Sequence, residues 1–114
     1  MTPITHRTFG HAPDPALKAR VSAALNIDDL PLDYPGGQRI RFFQVDWQRP
    51  DFCIVMTRPF GGGNDSGDVL VTADGARVSH DYPFKREGHR LAAWEALQKF
   101  AERFNAADEM RGAA

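Results

Sequence analysis

The residues with the clearest chemical potential are one cysteine, Cys53, and one histidine, His80, each inside a stretch that is typical of a β-strand. A cysteine nucleophile needs an accessible thiol with a lowered pKa. Cys53 lies between apolar residues, where cysteine usually serves as a small hydrophobic side chain. His80 and Asp81 are consecutive, so on a strand their side chains point to opposite faces and form no dyad. We therefore expect no catalytic residues, and a small enzyme that uses His80 or Cys53 is kept as an alternative.

A pair of histidines and a glycine-rich run are the two motifs that could bind a metal or a cofactor. His6 and His11 have a separation that is not usual for zinc, and a lone cysteine supplies no second ligand pair. The glycine-rich run over residues 61–67 lacks the Lys-Ser/Thr pair of a phosphate-binding loop and is followed by an aspartate. We expect neither a metal nor a cofactor. We predict a flexible hairpin loop whose Asn64 and Asp65 contact a partner.

Composition narrows the class of protein. The chain has 114 residues, 42% of them hydrophobic and 25% charged, with a net charge of -1. This length predicts a single domain with its own core. The near-neutral charge excludes a strongly basic nucleic-acid arm and an acidic mimic of DNA. No apolar run reaches the ~18 residues of a membrane span, and the first ten residues lack the apolar core of a secretion signal. We expect a cytoplasmic protein, and its arginine and alanine bias suggests a bacterial or phage genome.

Hydrophobic periodicity predicts the elements that position these residues. A helix begins at Asp14, a favoured N-cap, with Pro15 at the first helical position. Alternation of apolar and polar residues predicts four strands, and Asp74-Gly75 predicts a tight hairpin between the last two. The predicted bounds are an N-terminal arm over 1–13, a helix to about Asn26, strands over 38–47, 52–60, 68–72 and 76–82, a helix over about 87–107, and a frayed tail over 108–114.

The order α-β-β-β-β-α with short turns predicts an α+β fold, in which a four-stranded antiparallel meander is flanked by an N-terminal and a C-terminal helix. Each helix carries one apolar stripe, so we expect both to cover the same face of the sheet. The face with Phe43, Val45 and Trp47 has the larger apolar area and is the expected choice. The predicted core consists of Trp47, Val55 or Ile54, Val71 or Leu70, Val78, Leu97, Phe100 and Phe104.

The opposite face of the sheet is then the expected partner surface. Ile40 and Phe42 would point outward there, between two arginines, and an aromatic anchor beside arginine is the usual composition of a binding hot spot. Positive charges at the start of the last helix oppose its dipole, which can mark an acidic or phosphate contact. The predicted partner-binding residues are Arg39, Ile40, Phe42, Arg58, Asn64, Asp65, Lys85 and Arg86.

These features together favour a small non-enzymatic accessory protein that binds a macromolecular partner, of the inhibitor, immunity or anti-defence type. The second interpretation is a nucleic-acid-binding module, in which Arg41 beside Phe43 and Trp47 would stack on bases. A protein partner is expected first and a nucleic acid second, and no membrane is expected. A homodimer could use the same surface.

Overall fold

A computed structural model describes residues 6–30, 41–59, 67–81 and 89–113, which form an α+β fold. The described strands are β1 (His6–Gly10), β2 (Arg41–Arg49), β3 (Phe52–Pro59), β4 (Gly67–Thr72) and β5 (Gly75–Asp81). They form one sheet in the order β1-β2-β3-β4-β5. The described helices are α1 (Pro15–Ala24), a short 3-10 helix (Ile27–Asp29) and α2 (His89–Ala113).

The sheet is mixed rather than purely antiparallel. β2 to β5 form the predicted antiparallel meander. β1 pairs in parallel with β2, from His6 opposite Phe43 to Gly10 opposite Trp47. The prediction of an irregular arm is therefore wrong for residues 6–10. Most of β1 is exposed, so its sequence carries no apolar alternation, and backbone hydrogen bonds to β2 hold it in place.

α1 begins where the sequence predicts, whereas α2 ends later than predicted. α1 begins as predicted, because the Asp14 carboxylate accepts a hydrogen bond from the Leu17 N–H at 3.0 Å. α2 continues to Ala113, past the predicted end at Ala107. Alanine has the highest helix propensity, so the alanine-rich sequence around Ala107 favours continuation of the helix.

Both helices cover the face of the sheet that carries Phe43, Val45 and Trp47, as predicted. The sequence left open whether Val55 or Ile54, and Val71 or Leu70, lies in the core. Val55 and Val71 are fully buried there, whereas Ile54 and Leu70 are half-buried on the other face. The remaining buried members of this core include Leu17, Val21, Ala24, Leu30, Cys53, Val69, Leu97, Phe100 and Phe104.

Charged side chains join α1 to α2. Arg103 on α2 donates hydrogen bonds to the Ala24 carbonyl at the end of α1 and, at 3.0 Å, to the Asp29 carboxylate. Arg20 on α1 lies over the Phe104 ring, with its guanidinium carbon 4.4 Å from the ring centroid. These contacts fix the angle at which the two helices cover the sheet.

A side chain of α2 binds the outer edge of β5 at Ala76. Asn105 Nδ2 donates to the Ala76 carbonyl at 2.9 Å, and Asn105 Oδ1 accepts from the Ala76 N–H at 2.8 Å. These are the two backbone groups that a further strand would use at this position. A β-carbon at Gly75 would lie 3.2 Å from the same oxygen, so glycine leaves room for the amide.

Candidate functional site

The candidate site is the face of the sheet opposite the helices, called here the open face. No described helix packs against it. Successive side chains of a strand point to opposite faces, so the open face takes alternate residues from all five strands. Its side chains are Arg7, Phe9, Phe42, Gln44, Asp46, Phe52, Ile54, Met56, Arg58, Asp68, Leu70, Thr72 and Arg77.

The centre of the open face is apolar. Ile54 on β3 lies directly opposite Leu70 on β4, and Met56 follows two residues after Ile54 on the same face. All three side chains are half-buried, although residues of these types are usually found inside proteins. Gln44 Nε2 lies 3.8 Å from the Met56 sulfur, so an amide group lies beside these apolar side chains. We call Ile54, Met56 and Leu70 the central patch.

Charges of both signs flank the central patch. The strand registers place Phe9, Asp46, Ile54, Leu70 and Arg77 opposite one another in a continuous row across the five strands. A carboxylate therefore lies on the β2 side of the apolar centre and an exposed guanidinium on the β5 side.

Phe42 faces the open side, as predicted, but it is not exposed. Its exposed fraction is 5%, and the guanidinium carbon of Arg7 lies 4.6 Å from its ring centroid. The expected exposure of Phe42 is therefore wrong, because β1 places Arg7 over it. Among the described residues of this face, the aromatic side chain that is exposed is Phe9, at 47%. Arg58 lies opposite Phe42 on β3 and is half-buried.

The other predicted partner-binding residues lie outside the described part of the chain, and their roles stay predictions: Arg39, Ile40, Asn64, Asp65, Lys85 and Arg86.

Cys53 is a core residue. Its side chain has no exposed surface, and burial raises the pKa of the thiol to about 12, with a smaller contribution from the charge of Asp46. The thiol is therefore protonated and covered at neutral pH, which makes it a poor nucleophile. On β5 the register shifts, so that Val78 lies opposite Val69 while His80 lies opposite Asp68.

The proposed arginine-aromatic stacking surface faces the helices. Phe43 and Trp47 are fully buried, and Arg41 is buried beside them. Bases of a nucleic acid therefore cannot reach these rings in this fold. A nucleic-acid interpretation would have to use other arginines.

His6 gives β1 a dependence on pH. Burial, and secondarily the charge of Lys18, lower the pKa of His6 below its ordinary value of 6.5. The unfolded chain then takes up a proton at a pH where the folded chain does not. The contribution of His6 to the free energy of unfolding is fully present above pH 6.5 and is lost as the pH falls from 6.5 toward the lowered pKa.

We expect the melting temperature to fall more between about pH 7.5 and about pH 5.5 in the wild type than in His6→Gln, because glutamine does not titrate. Thermal unfolding followed by circular dichroism measures both slopes. Carboxylates contribute equally to the two proteins, so the difference between them reports His6. Identical slopes would contradict the assignment.

Comparison with known proteins finds no matching family model, no matching curated protein and no matching solved structure. Within the described residues, no helix has the length and apolar character needed to cross a membrane. The same residues contain no group of three or more His, Cys, Asp or Glu side chains placed to hold a metal ion.

Proposed function

We propose that the protein acts by binding a protein partner through the open face, without catalysing a reaction. The observation that carries this proposal is the central patch, in which Ile54, Met56 and Leu70 lie together with no described helix against them. Contiguous apolar surface surrounded by polar residues is typical of interaction sites. Its further burial by a partner would contribute about 25 cal/mol per Å².

The border of the central patch has the composition of an interface. Phe9 and Arg77 are exposed on either side of it, and Arg7 is held over Phe42. Aromatic residues, methionine and arginine are enriched at protein interfaces, and arginine and aromatic anchors carry much of the binding energy. A partner would therefore meet an apolar centre with directional contacts at its edges.

The mixture of charges favours a protein over a nucleic acid. Arg7, Arg58 and Arg77 share the open face with Asp46 and Asp68. The carboxylates would repel a phosphate backbone, whereas a protein surface offers groups of both signs. The salt dependence of binding separates the two cases, because neutralising several phosphates makes affinity fall steeply with salt.

A small chain with one binding face fits an accessory protein that blocks or protects its partner by contact. The inhibitor, immunity or anti-defence type expected from the sequence remains the proposed class. The function would then depend on shape and charge at the open face, not on a reactive group.

The test identifies the partner by a photo-crosslinking amino acid at Met56 in the source organism and then measures binding to the purified partner. Ile54→Glu places a charge in the central patch and is expected to weaken binding by about tenfold or more. Gln98→Glu makes the same charge change on the exposed side of α2 and should leave affinity within about twofold.

Calorimetry and circular dichroism check that both variants remain folded. Should Ile54→Glu unfold, the exposed Arg77→Glu substitution tests the same face by charge reversal. Equal affinity of the wild type and the open-face variants would contradict the proposal.

A further inference from the structure

The backbone of β1 presents hydrogen-bonding groups away from the sheet. The His11 N–H donates to the Trp47 carbonyl at 2.9 Å, which fixes the direction of the backbone at the end of β1. Backbone groups of successive strand residues point to alternate sides, so Arg7 and Phe9 direct theirs toward β2. The N–H and C=O groups of His6, Thr8 and Gly10 point outward, away from β2.

This outer edge differs from the edge at the other end of the sheet. No described strand pairs with it, and Thr8 and Phe9 are exposed. On β5 the corresponding groups of Ala76 are bound by Asn105. Natural proteins usually protect an edge with a short strand, charged side chains, proline, a bulge or a covering element. β1 is short but carries no lysine or proline, and the guanidinium of its one arginine lies over Phe42. An exposed edge of this kind is typical of a strand that pairs with another chain.

We propose that β1 pairs antiparallel with β1 of a second copy of this chain, about a two-fold axis at Thr8. This proposal stands on the edge of the sheet and is independent of the function proposed for the open face. In this register Thr8 lies opposite Thr8 of the second copy, Arg7 opposite Phe9, and His6 opposite Gly10. The two threonines exchange a pair of N–H···O hydrogen bonds, as residues at a hydrogen-bonded antiparallel position do.

The side chains favour this register over its neighbours. It brings each Arg7, whose guanidinium stays over Phe42, beside Phe9 of the second copy, so that the alkyl part of the arginine covers an aromatic ring that is otherwise 47% exposed. Shifting the axis to Arg7 would place two arginines directly opposite, which is destabilising. Shifting it to Phe9 would leave His6 unpaired. Of these three registers, only the one centred on Thr8 uses all three outward-pointing residues.

The dimer would be a continuous sheet built from both copies. Because the two-fold axis is perpendicular to the sheet, both open faces would lie on the same side of it. The proposed pairing therefore places two copies of the central patch on the same side of one sheet, with β2 and β1 of each copy between them, ~24 Å apart at ~4.8 Å per strand.

Sedimentation equilibrium tests the proposal on the full chain. The wild type is expected at twice its 12.7 kDa mass. Thr8→Pro removes the outward N–H but no hydrogen bond to β2, and proline is tolerated on an edge strand in that orientation. It should weaken the dimer by roughly 10- to 100-fold, because two symmetric hydrogen bonds are lost. Thr8→Val keeps the N–H and should remain dimeric.

Cysteine cross-linking gives a second readout that does not depend on the proline variant. The Cα atoms of paired Thr8 residues would lie ~5.5 Å apart, within disulfide range, so Thr8→Cys should form a covalent dimer on mild oxidation. Arg7→Cys is the control, because its two copies would lie more than ~8 Å apart. Cys53 is buried and does not compete.

A monomeric wild type at high concentration, a dimer unaffected by Thr8→Pro, or equal cross-linking of the Arg7→Cys control would overturn the proposal. If Thr8→Pro fails to fold, the cross-linking pair alone decides.

Discussion

Replacing Leu97 with alanine is expected to lower the free energy of unfolding by about 2–5 kcal/mol. Leu97 has no exposed surface and lies in the core with Trp47, Phe100 and Phe104. The substitution removes apolar area from the interior and leaves a cavity, because the close-packed rings around it relax only in part. Urea denaturation of the wild type and the variant measures the difference.

Leu91→Ala is the matched control on the same helix. Its side chain is 42% exposed, so the identical chemical change should cost less than about 1 kcal/mol. A similar loss of stability in both variants would mean that the burial of Leu97 is not what stabilises this position and that α2 is not anchored by its apolar stripe.

Replacing Gly10 with alanine is expected to destabilise the attachment of β1 by about 2 kcal/mol or more. Gly10 has a φ of +92°, which L-residues rarely adopt, and an added β-carbon would lie 2.2 Å from the Trp47 carbonyl oxygen. That oxygen accepts the hydrogen bond from the His11 N–H, so it cannot move aside without loosening the end of the strand.

Hydrogen exchange locates this effect. We expect the amides of Arg7 and Phe9, which point toward β2, to exchange faster in Gly10→Ala, while amides of β3 and β4 change little. Thr8→Ala is the control, because its exposed side chain should change exchange only slightly. Unchanged exchange in Gly10→Ala would contradict the close contact with Trp47.

The parts of the fold that bury apolar residues could be predicted from the sequence. The stripe of α1, the cap at Asp14 and the two faces of β3 each follow from local spacing, and the greater apolar area of the Trp47 face selects the side that the helices cover. Burial imposes a period on the sequence, and the period is readable without knowing the neighbouring elements.

β1 could not be predicted in this way, because its stability depends on a distant segment. It is mostly exposed on both faces, and it gains its partner from residues 43–47, far along the chain. A parallel pairing of this kind leaves no local turn signal. Five residues without alternation that end in glycine, at Gly10, are typical of a loop, and only the position of β2 makes them a strand.

The wrong prediction for residues 6–10 also affected the prediction of the candidate site. The face that the helices leave open was predicted correctly, and its role as a binding site stays a prediction. Phe42 was expected to be exposed on this face, but Phe42 is buried under Arg7 and Phe9 is exposed instead. Arg7 and Phe9 lie on this face only because β1 pairs with β2. The central patch was present in the sequence as the second apolar face of β3, since Ile54 and Met56 alternate with buried residues.

Asn105 also limits how far this sheet can grow. A sheet with two free edges is a template for polymerisation, because each added copy leaves a new edge for the next. By occupying the backbone groups of Ala76, Asn105 blocks pairing at that position of the β5 edge. In the dimer proposed above, pairing through β1 about a two-fold axis would use the β1 edge of both copies at once, so assembly through that edge would stop at two chains. One amide side chain on α2 would thus favour a closed dimer over a fibre.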